Sequence, residues 1–181
     1  MEEIMKVLVP LAEGFEETEA ITVIDILRRA DIDTVTAALK NNPVTGSHKI
    51  PVIADKLLDE NEEFTAIVLP GGMPGSTNLR DDNRIINIIK KISASRGLTA
   101  ALCAAPIVLS KAGVMKGKKY TCYPGFEDEI DGVFIDKSVV VDGNIITGKG
   151  AGHAVAFGLA IVGFLLGEAA AKKVKEGLTL D

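Results

Sequence analysis

Apolar residues follow two rhythms along this chain: short unbroken runs, and positions spaced three and four apart. Lys6-Val7-Leu8-Val9-Pro10-Leu11 is a continuous β-rich run, as expected of a strand covered on both faces. Residues 16–30 follow, with Ala20, Val23, Ile24 and Leu27 at helical spacing and Arg28 and Arg29 near the end, where cations suit a helix dipole. The alternation recurs as strands at 33–39, 66–69 and 99–102 and helices at 84–92 and 105–112. That order predicts a mainly parallel sheet with helices on both faces, a three-layer α/β domain.

Two stretches break the alternation. Residues 44–54, with Thr45-Gly46-Ser47 as the turn, and residues 139–147, with Asp142-Gly143-Asn144 between β-branched runs, both read as hairpins. The most apolar region, residues 154–166, is interrupted by Gly158 and Gly163 and falls short of the roughly 20 residues that span hydrocarbon. It reads as a buried helix, followed by a last helix over 168–175. No repeat, low-complexity stretch or linker divides the chain, so residues 1–181 read as a single domain.

Composition narrows the function classes. With 181 residues, 47% of them hydrophobic and only 4% aromatic, the chain fits one domain with an aliphatic core. Its net charge of -5 has the wrong sign for neutralising phosphates or anionic lipid, so neither nucleic acid nor a membrane is an expected partner. Two cysteines, Cys103 and Cys122, and an acidic start without a basic, apolar leader point to a reducing cytoplasm. Two histidines and two cysteines at unrelated spacings match no metal-ligand pattern.

In open parallel sheets, ligands bind beyond the carboxyl ends of the strands. Three such ends carry unusual chemistry: Glu13-Gly14-Phe15-Glu16-Glu17-Thr18-Glu19 after the first strand, Pro70-Gly71-Gly72-Met73-Pro74-Gly75 after the strand at 66–69, and Cys103 after the strand at 99–102. They supply a carboxylate, backbone donors and a thiol. A thiol reacts as its thiolate, and a helix N-terminus offers a positive dipole end and unpaired N–H groups. Small Ala101, Ala104 and Ala105 permit a tight strand-to-helix turn, and Pro106 suits a first helical turn. Gly71-Gly72 lets the backbone aim N–H groups at an oxyanion. Taken singly, Cys103 reads as a buried filler, Gly71-Gly72 as a turn, and Glu16, Glu17 and Glu19 as a solvated helix start; their convergence favours a site.

These three motifs, in this order and spacing, resemble the ThiJ/PfpI superfamily and most closely its DJ-one branch. The likeness continues through Gly148-Lys149-Gly150-Ala151-Gly152 and the apolar helix after it. The resemblance implies a flavodoxin-like fold, a homodimer, no cofactor, and an oxidation-prone cysteine at an elbow, which falls on Cys103. It places the glutamate that shares a hydrogen bond with the sulfur on Glu19 and the backbone donors on Gly72 and Ala104, with Gly71 beside them. Where some relatives carry a histidine, this chain has Tyr123, a poor base near neutral pH, which leaves proton transfer to Glu19. Ala104 stands where a protease-like branch has histidine, which disfavours a Cys-His peptidase. His153 falls in a segment near the cysteine and the dimer contact, and His48 where a relative has an arginine reaching across that contact. Cys122 is a resolving partner for an oxidised Cys103 or a structural filler.

The resemblance implies a glyoxalase- or deglycase-like enzyme acting on methylglyoxal, glyoxal or their glycated adducts. The alternative is an oxidative-stress sensor or chaperone in which Cys103 becomes a sulfinate without turnover. A thiazole-phosphate role, suggested by the superfamily's older name, has only the generic Gly71-Gly72 pair behind it.

Overall fold

The computed structural model describes residues 5–180; the first four residues of the acidic start, and Asp181, lie outside the described residues. In chain order the elements are β1 (Lys6–Leu11), α1 (Glu17–Arg29), β2 (Asp33–Ala38), β3 (Val44–Thr45), β4 (Pro51–Val52), β5 (Lys56–Leu57), β6 (Ala66–Leu69), α2 (Gly75–Arg80), α3 (Asn83–Ala94) and β7 (Leu98–Leu102). There follow α4 (Pro106–Lys111), β8 (Lys119–Tyr120), β9 (Val133–Phe134), β10 (Val139–Asp142), β11 (Ile145–Gly148), α5 (Ala154–Leu166) and α6 (Glu168–Gly177).

Seven strands form one sheet in the order β10-β11-β7-β6-β1-β2-β5. All neighbours are parallel except β10, which runs antiparallel to β11. By order of appearance the five central strands, β2-β1-β6-β7-β11, run 2-1-3-4-5, the flavodoxin-like winding expected from the sequence. The unbroken apolar runs are explained by burial on both faces. Val7, Val9 and Leu11 of β1 pack in a layer with Val23, Ile24 and Leu27 of α1 and Phe157 and Ile161 of α5. Leu8, between them, points into the opposite layer with Ile85 and Ile89 of α3 and Val108 of α4.

Helix ends follow local chemistry. The Glu16 side chain caps α1, Asp82 caps α3, and Pro106 opens α4 where a missing N–H costs nothing. Gly158 lets α5 approach α1: a Cβ there would lie 2.9 Å from Ile26 Cδ1.

Three expectations need correction. The helix at 154–166 is not buried all round: α5 buries Ala154, Phe157, Gly158, Ile161 and Val162 and leaves Phe164 and Leu166 exposed. One helix face covers the sheet, so uniform apolarity leaves an apolar outer face. The hairpin at 44–54 turns through residues 46–50 rather than 45–47, because β3 and β4 pair Val44 with Val52 and Thr45 with Pro51. Lastly, α2, β5 and the β8–β9 pair carry no clear periodicity and were not expected. The hairpin at 139–147 forms as expected, with Gly143 at φ 62° in its turn, and closes one sheet edge.

Register positions the site. Leu8 pairs with Ile67, Leu69 with Ala101 and Leu102 with Gly148, so the chain segments leaving β1, β6 and β7 emerge along one edge.

Candidate active site around Cys103

Cys103 follows the last residue of β7 and adopts φ 62°, a left-handed conformation that a non-glycine residue holds only under constraint. The constraint is visible on both sides. Its N–H donates to the Gly148 carbonyl at 2.9 Å and its carbonyl accepts from Tyr123 N–H at 2.9 Å, while Ala105 N–H closes the turn onto the Leu102 carbonyl at 3.0 Å. The strained turn lifts the thiol out of the strand at the start of α4, the geometry of a nucleophile elbow. Cys103 is half-buried and unpaired.

Glu19 sits in the first turn of α1 and is completely buried. Its Oε2 accepts from Gly71 N–H at 2.7 Å. The carboxyl also lies within reach of the Cys103 thiol, each group shifting the titration of the other through a shared hydrogen bond. Glu19 Oε1 is buried without a hydrogen-bond partner among the described residues. Gly71 is required by space. A Cβ there would stand 2.6 Å from both Cys103 Cβ and Glu19 Oε2.

Burial raises Glu19 to about 7, with the Glu16 charge adding to the rise, against the opposing pull of the Gly71 N–H and Cys103 bonds. The thiol is pushed up to about 12, first by burial, then by the charge and hydrogen bond of Glu19. This corrects the expectation that the helix start alone would favour the thiolate. The N–H groups of Ala104 and Gly72 do face the sulfur and lower its value, but they are outweighed by burial and by Glu19. Thiol and carboxyl therefore titrate as a pair, and a proton on Glu19 removes the charge that opposes the thiolate.

The remaining sequence-selected residues divide clearly. Tyr123 joins the site through its backbone; its half-exposed ring packs edge-on to Phe126, and a Cβ on Gly150 would lie 3.5 Å from it. His153 is half-buried at the end of a short 3-10 turn, Ala151–His153, and its ring makes no hydrogen bond among the described residues. Cys122 is fully buried in the layer containing Leu109 and Met115, whereas Cys103 packs against the opposite layer. Burial, then the Glu127 charge, raises its thiol to about 11. Its placement is that of a core residue.

Among the described residues His48 makes no hydrogen bond to Cys103; it belongs to a clasp that sequence reasoning missed. The loop between β3 and β4 wraps the Glu17 carboxylate: His48 N–H donates to Oε1 at 2.7 Å, while Oε2 meets His48 Nδ1 at 2.9 Å and Ser47 Oγ at 3.2 Å. Burial pushes Glu17 up, but the His48 side chain and the backbone N–H groups of Glu17, His48 and Ile50 outweigh it and hold the carboxyl at about 2, and the hydrogen bond to Glu17, then its charge, raises His48. Glu16, Glu17 and His48 are the one group among the described residues whose ligand atoms converge as a metal site would, within 4.8 Å. With both Glu17 oxygens already bonded, the group is closed as a clasp. Only its acidic pair was legible beforehand, because its other half lies 31 residues away.

Gly46 makes the clasp possible, since a Cβ there would overlap the Glu17 carboxyl at 2.3 Å. Gly46→Ala is expected to expel Glu17 and cost about 1–2 kcal/mol in lost hydrogen bonds. NMR titration should then show the His48 pKa falling toward that of a free imidazole. An unchanged titration would exclude the clasp.

A cleft of about 1080 Å³ opens elsewhere, between Lys6, Glu62, Phe64, Ile88 and Arg96. It contains none of the Cys103 groups and is lined by residues of the Lys6–Glu62 ion pair.

Residues 5–163 match the DJ-1/PfpI family. The chain belongs to this family. It is 42% identical over 162 residues to Protein DJ-1 homolog B of Arabidopsis thaliana, covering 87% of this chain and 37% of that protein. The chain thus spans well under half the length of that relative. It is also 34% identical over 158 residues to Deglycase PYRAB04690 of Pyrococcus abyssi, covering 84% of this chain and 95% of that one. Among solved structures, Drosophila melanogaster DJ-1beta superposes with a TM-score of 0.94 at 36% identity, covering 99% of this chain and 100% of that chain. DJ-1/PfpI membership and the flavodoxin-like sheet agree with the motif reading.

Proposed function

We infer that this DJ-1/PfpI protein is a cofactor-independent enzyme of small reactive carbonyls, acting on methylglyoxal, glyoxal or their adducts through Cys103. The observation that carries the reading is the buried Glu19 carboxyl, held by Gly71 N–H beside a thiol that two further N–H groups face. Likeness to a protein named as a deglycase supports the same class.

A carboxyl at about 7 exists in both forms near neutrality, so it can both take and return a proton. Ionised Glu19 takes the thiol proton as sulfur adds to the aldehyde carbon. The alkoxide formed is held by the Gly72 and Ala104 N–H groups and receives that proton, giving a hemithioacetal. Glu19 next removes the hydrogen from the carbon bearing sulfur and delivers a proton to the adjacent carbon, leaving a thioester. Water hydrolyses it, releasing lactate from methylglyoxal or glycolate from glyoxal and restoring the thiol. The sum is dicarbonyl plus water to hydroxy acid.

The test is methylglyoxal loss and lactate appearance for wild type, Cys103→Ala and Glu19→Gln in thiol-free buffer. Lactate formation should fall roughly 10²–10⁴-fold in both variants. Equal rates in all three would overturn the enzymatic reading.

The same N–H pair supports a second reading, a peroxide sensor. Two equivalents of peroxide would each give one oxygen to the sulfur and leave as water, and protonated Glu19 would donate to the sulfinate. Mass spectrometry after mild peroxide should show two oxygens on Cys103 before any on buried Cys122; simultaneous oxidation of both argues against it. We expect two copies of the chain to pair, as sedimentation would report.

A further inference from the structure

Glu16 is bonded to every carboxyl-side part of the site. Its Oε2 accepts from Glu19 N–H at 2.7 Å, its own N–H donates to the Gly71 carbonyl at 2.9 Å, and Gly71 N–H returns to Glu19 Oε2 at 2.7 Å. The three residues form a closed ring of bonds. Glu16 also packs directly on Gly72, whose N–H faces the sulfur: a Cβ on Gly72 would lie 2.4 Å from Glu16 N. Its side chain keeps 15% exposure, so this carboxylate fronts solvent at the edge of the site.

The charges facing Glu16 are Glu17 and Glu19 on its own helix, His48 from the β3–β4 loop, and Cys103 across Gly72 when ionised. His48 offsets Glu16 weakly, because Nδ1 is 3.8 Å from Glu16 Oε1 but 2.9 Å from Glu17 Oε2, and the ring is largely in solvent. Among the described residues, the outside charge that acts on Glu19 is that of Glu16. Glu16 therefore sets a negative carboxylate beside the Glu19 and Gly72 side of the site, with no strong counter-charge among the described residues.

We propose that Glu16 positions Glu19 and selects substrates by charge, admitting uncharged dicarbonyls and carbonyl adducts of cationic amines and turning away carbonyl compounds that carry a carboxylate. The substrate class rests on the carbonyl chemistry inferred above, whereas the charge selection is a property of access to Cys103 itself and is measurable without turnover.

Two alkylating agents of similar size, neutral iodoacetamide and anionic iodoacetate, separate the two. Wild type should favour iodoacetamide at Cys103 by a larger ratio than a free cysteine derivative does, and the excess should shrink as salt rises to about 0.5 M. Glu16→Gln should lower the ratio about fivefold, as expected for removing one charge at the edge of the site. It should also move the alkylation pH profile to lower pH, because removing a negative charge beside the pair lets both the carboxyl and the thiol ionise more readily. Glu16→Asp, which keeps both charge and cap, should restore the ratio and the profile. Turnover of methylglyoxal and glyoxylate is followed in parallel. A ratio unchanged in Glu16→Gln, or insensitive to salt in wild type, overturns the role of Glu16 whether or not turnover occurs. A salt-sensitive ratio in a wild type that turns over neither compound upholds the charge selection and overturns the carbonyl reading alone.

Discussion

Glu19→Gln is expected to be more stable than wild type above neutral pH, by up to about 3 kcal/mol, and to have no such advantage at pH 4. In the folded protein the Glu19 carboxyl is raised from 4.5 to about 7, chiefly by burial. A raised carboxyl binds its proton more tightly in the native state than in the unfolded chain. Its contribution is therefore fully present below the unfolded value and is lost as pH rises through about 7. A separation of about 2.5 pH units corresponds to about 3 kcal/mol at 1.36 kcal/mol per unit. Gln does not titrate, keeps an oxygen for the Gly71 N–H, and can direct its amide toward the sulfur. Glu17, whose carboxylate is depressed to about 2, titrates in both proteins and cancels in the difference. Denaturant unfolding at pH 4, 6 and 8 would reveal the divergence. Parallel profiles would mean that Glu19 is not held in the protonation balance on which the proposed chemistry depends. A gain in stability with a loss of lactate formation is the signature of a residue retained for function.

What the sequence disclosed, and what it hid, follows from the range of the interactions. The strands at β1, β6 and β7 were legible because burial on both faces leaves an unbroken apolar run. The elbow was legible because Ala101, Ala104, Ala105 and Pro106 are local requirements of the turn. Glu19, Gly71 and Cys103 could be brought together because parallel strands of similar length end at a common edge. The clasp was hidden for the opposite reason. Its carboxylate and its donors lie on separate elements, and the acid beside a helix start looked like ordinary solvated capping. Six-residue α2 and two-residue β5 are too short for any period to show. The direction of the Cys103 shift was also out of reach, since it depends on the depth of burial and on the charge state of Glu19 rather than on the residues flanking the sulfur.

Gly71→Ala should be severely damaging to this site. The objection is space, not backbone conformation. The new Cβ would lie 2.6 Å from Cys103 Cβ, 2.6 Å from Glu19 Oε2 and 2.8 Å from the Leu102 carbonyl oxygen. None of these neighbours is free to yield. The Leu102 carbonyl is fixed by Ala105 N–H, Cys103 by Gly148 and Tyr123, and Glu19 by Glu16 at its backbone and Gly71 at its carboxyl. Overpacking costs about 1–3 kcal/mol, and disturbing the buried bond to Glu19 adds about 1–3 kcal/mol. The loss in Cys103 reactivity should be larger in proportion, since a shift of about 1 Å in a reacting group can cost about 10²-fold. Gly152→Ala supplies the comparison, because a Cβ there meets nothing within 4 Å. It should change stability by no more than about 0.5 kcal/mol. Denaturant unfolding and the rate of Cys103 alkylation, measured on both variants, decide the matter. If Gly71→Ala matched Gly152→Ala in both, the close approach of β6, β7 and α1 at this edge would not be what holds thiol and carboxyl together.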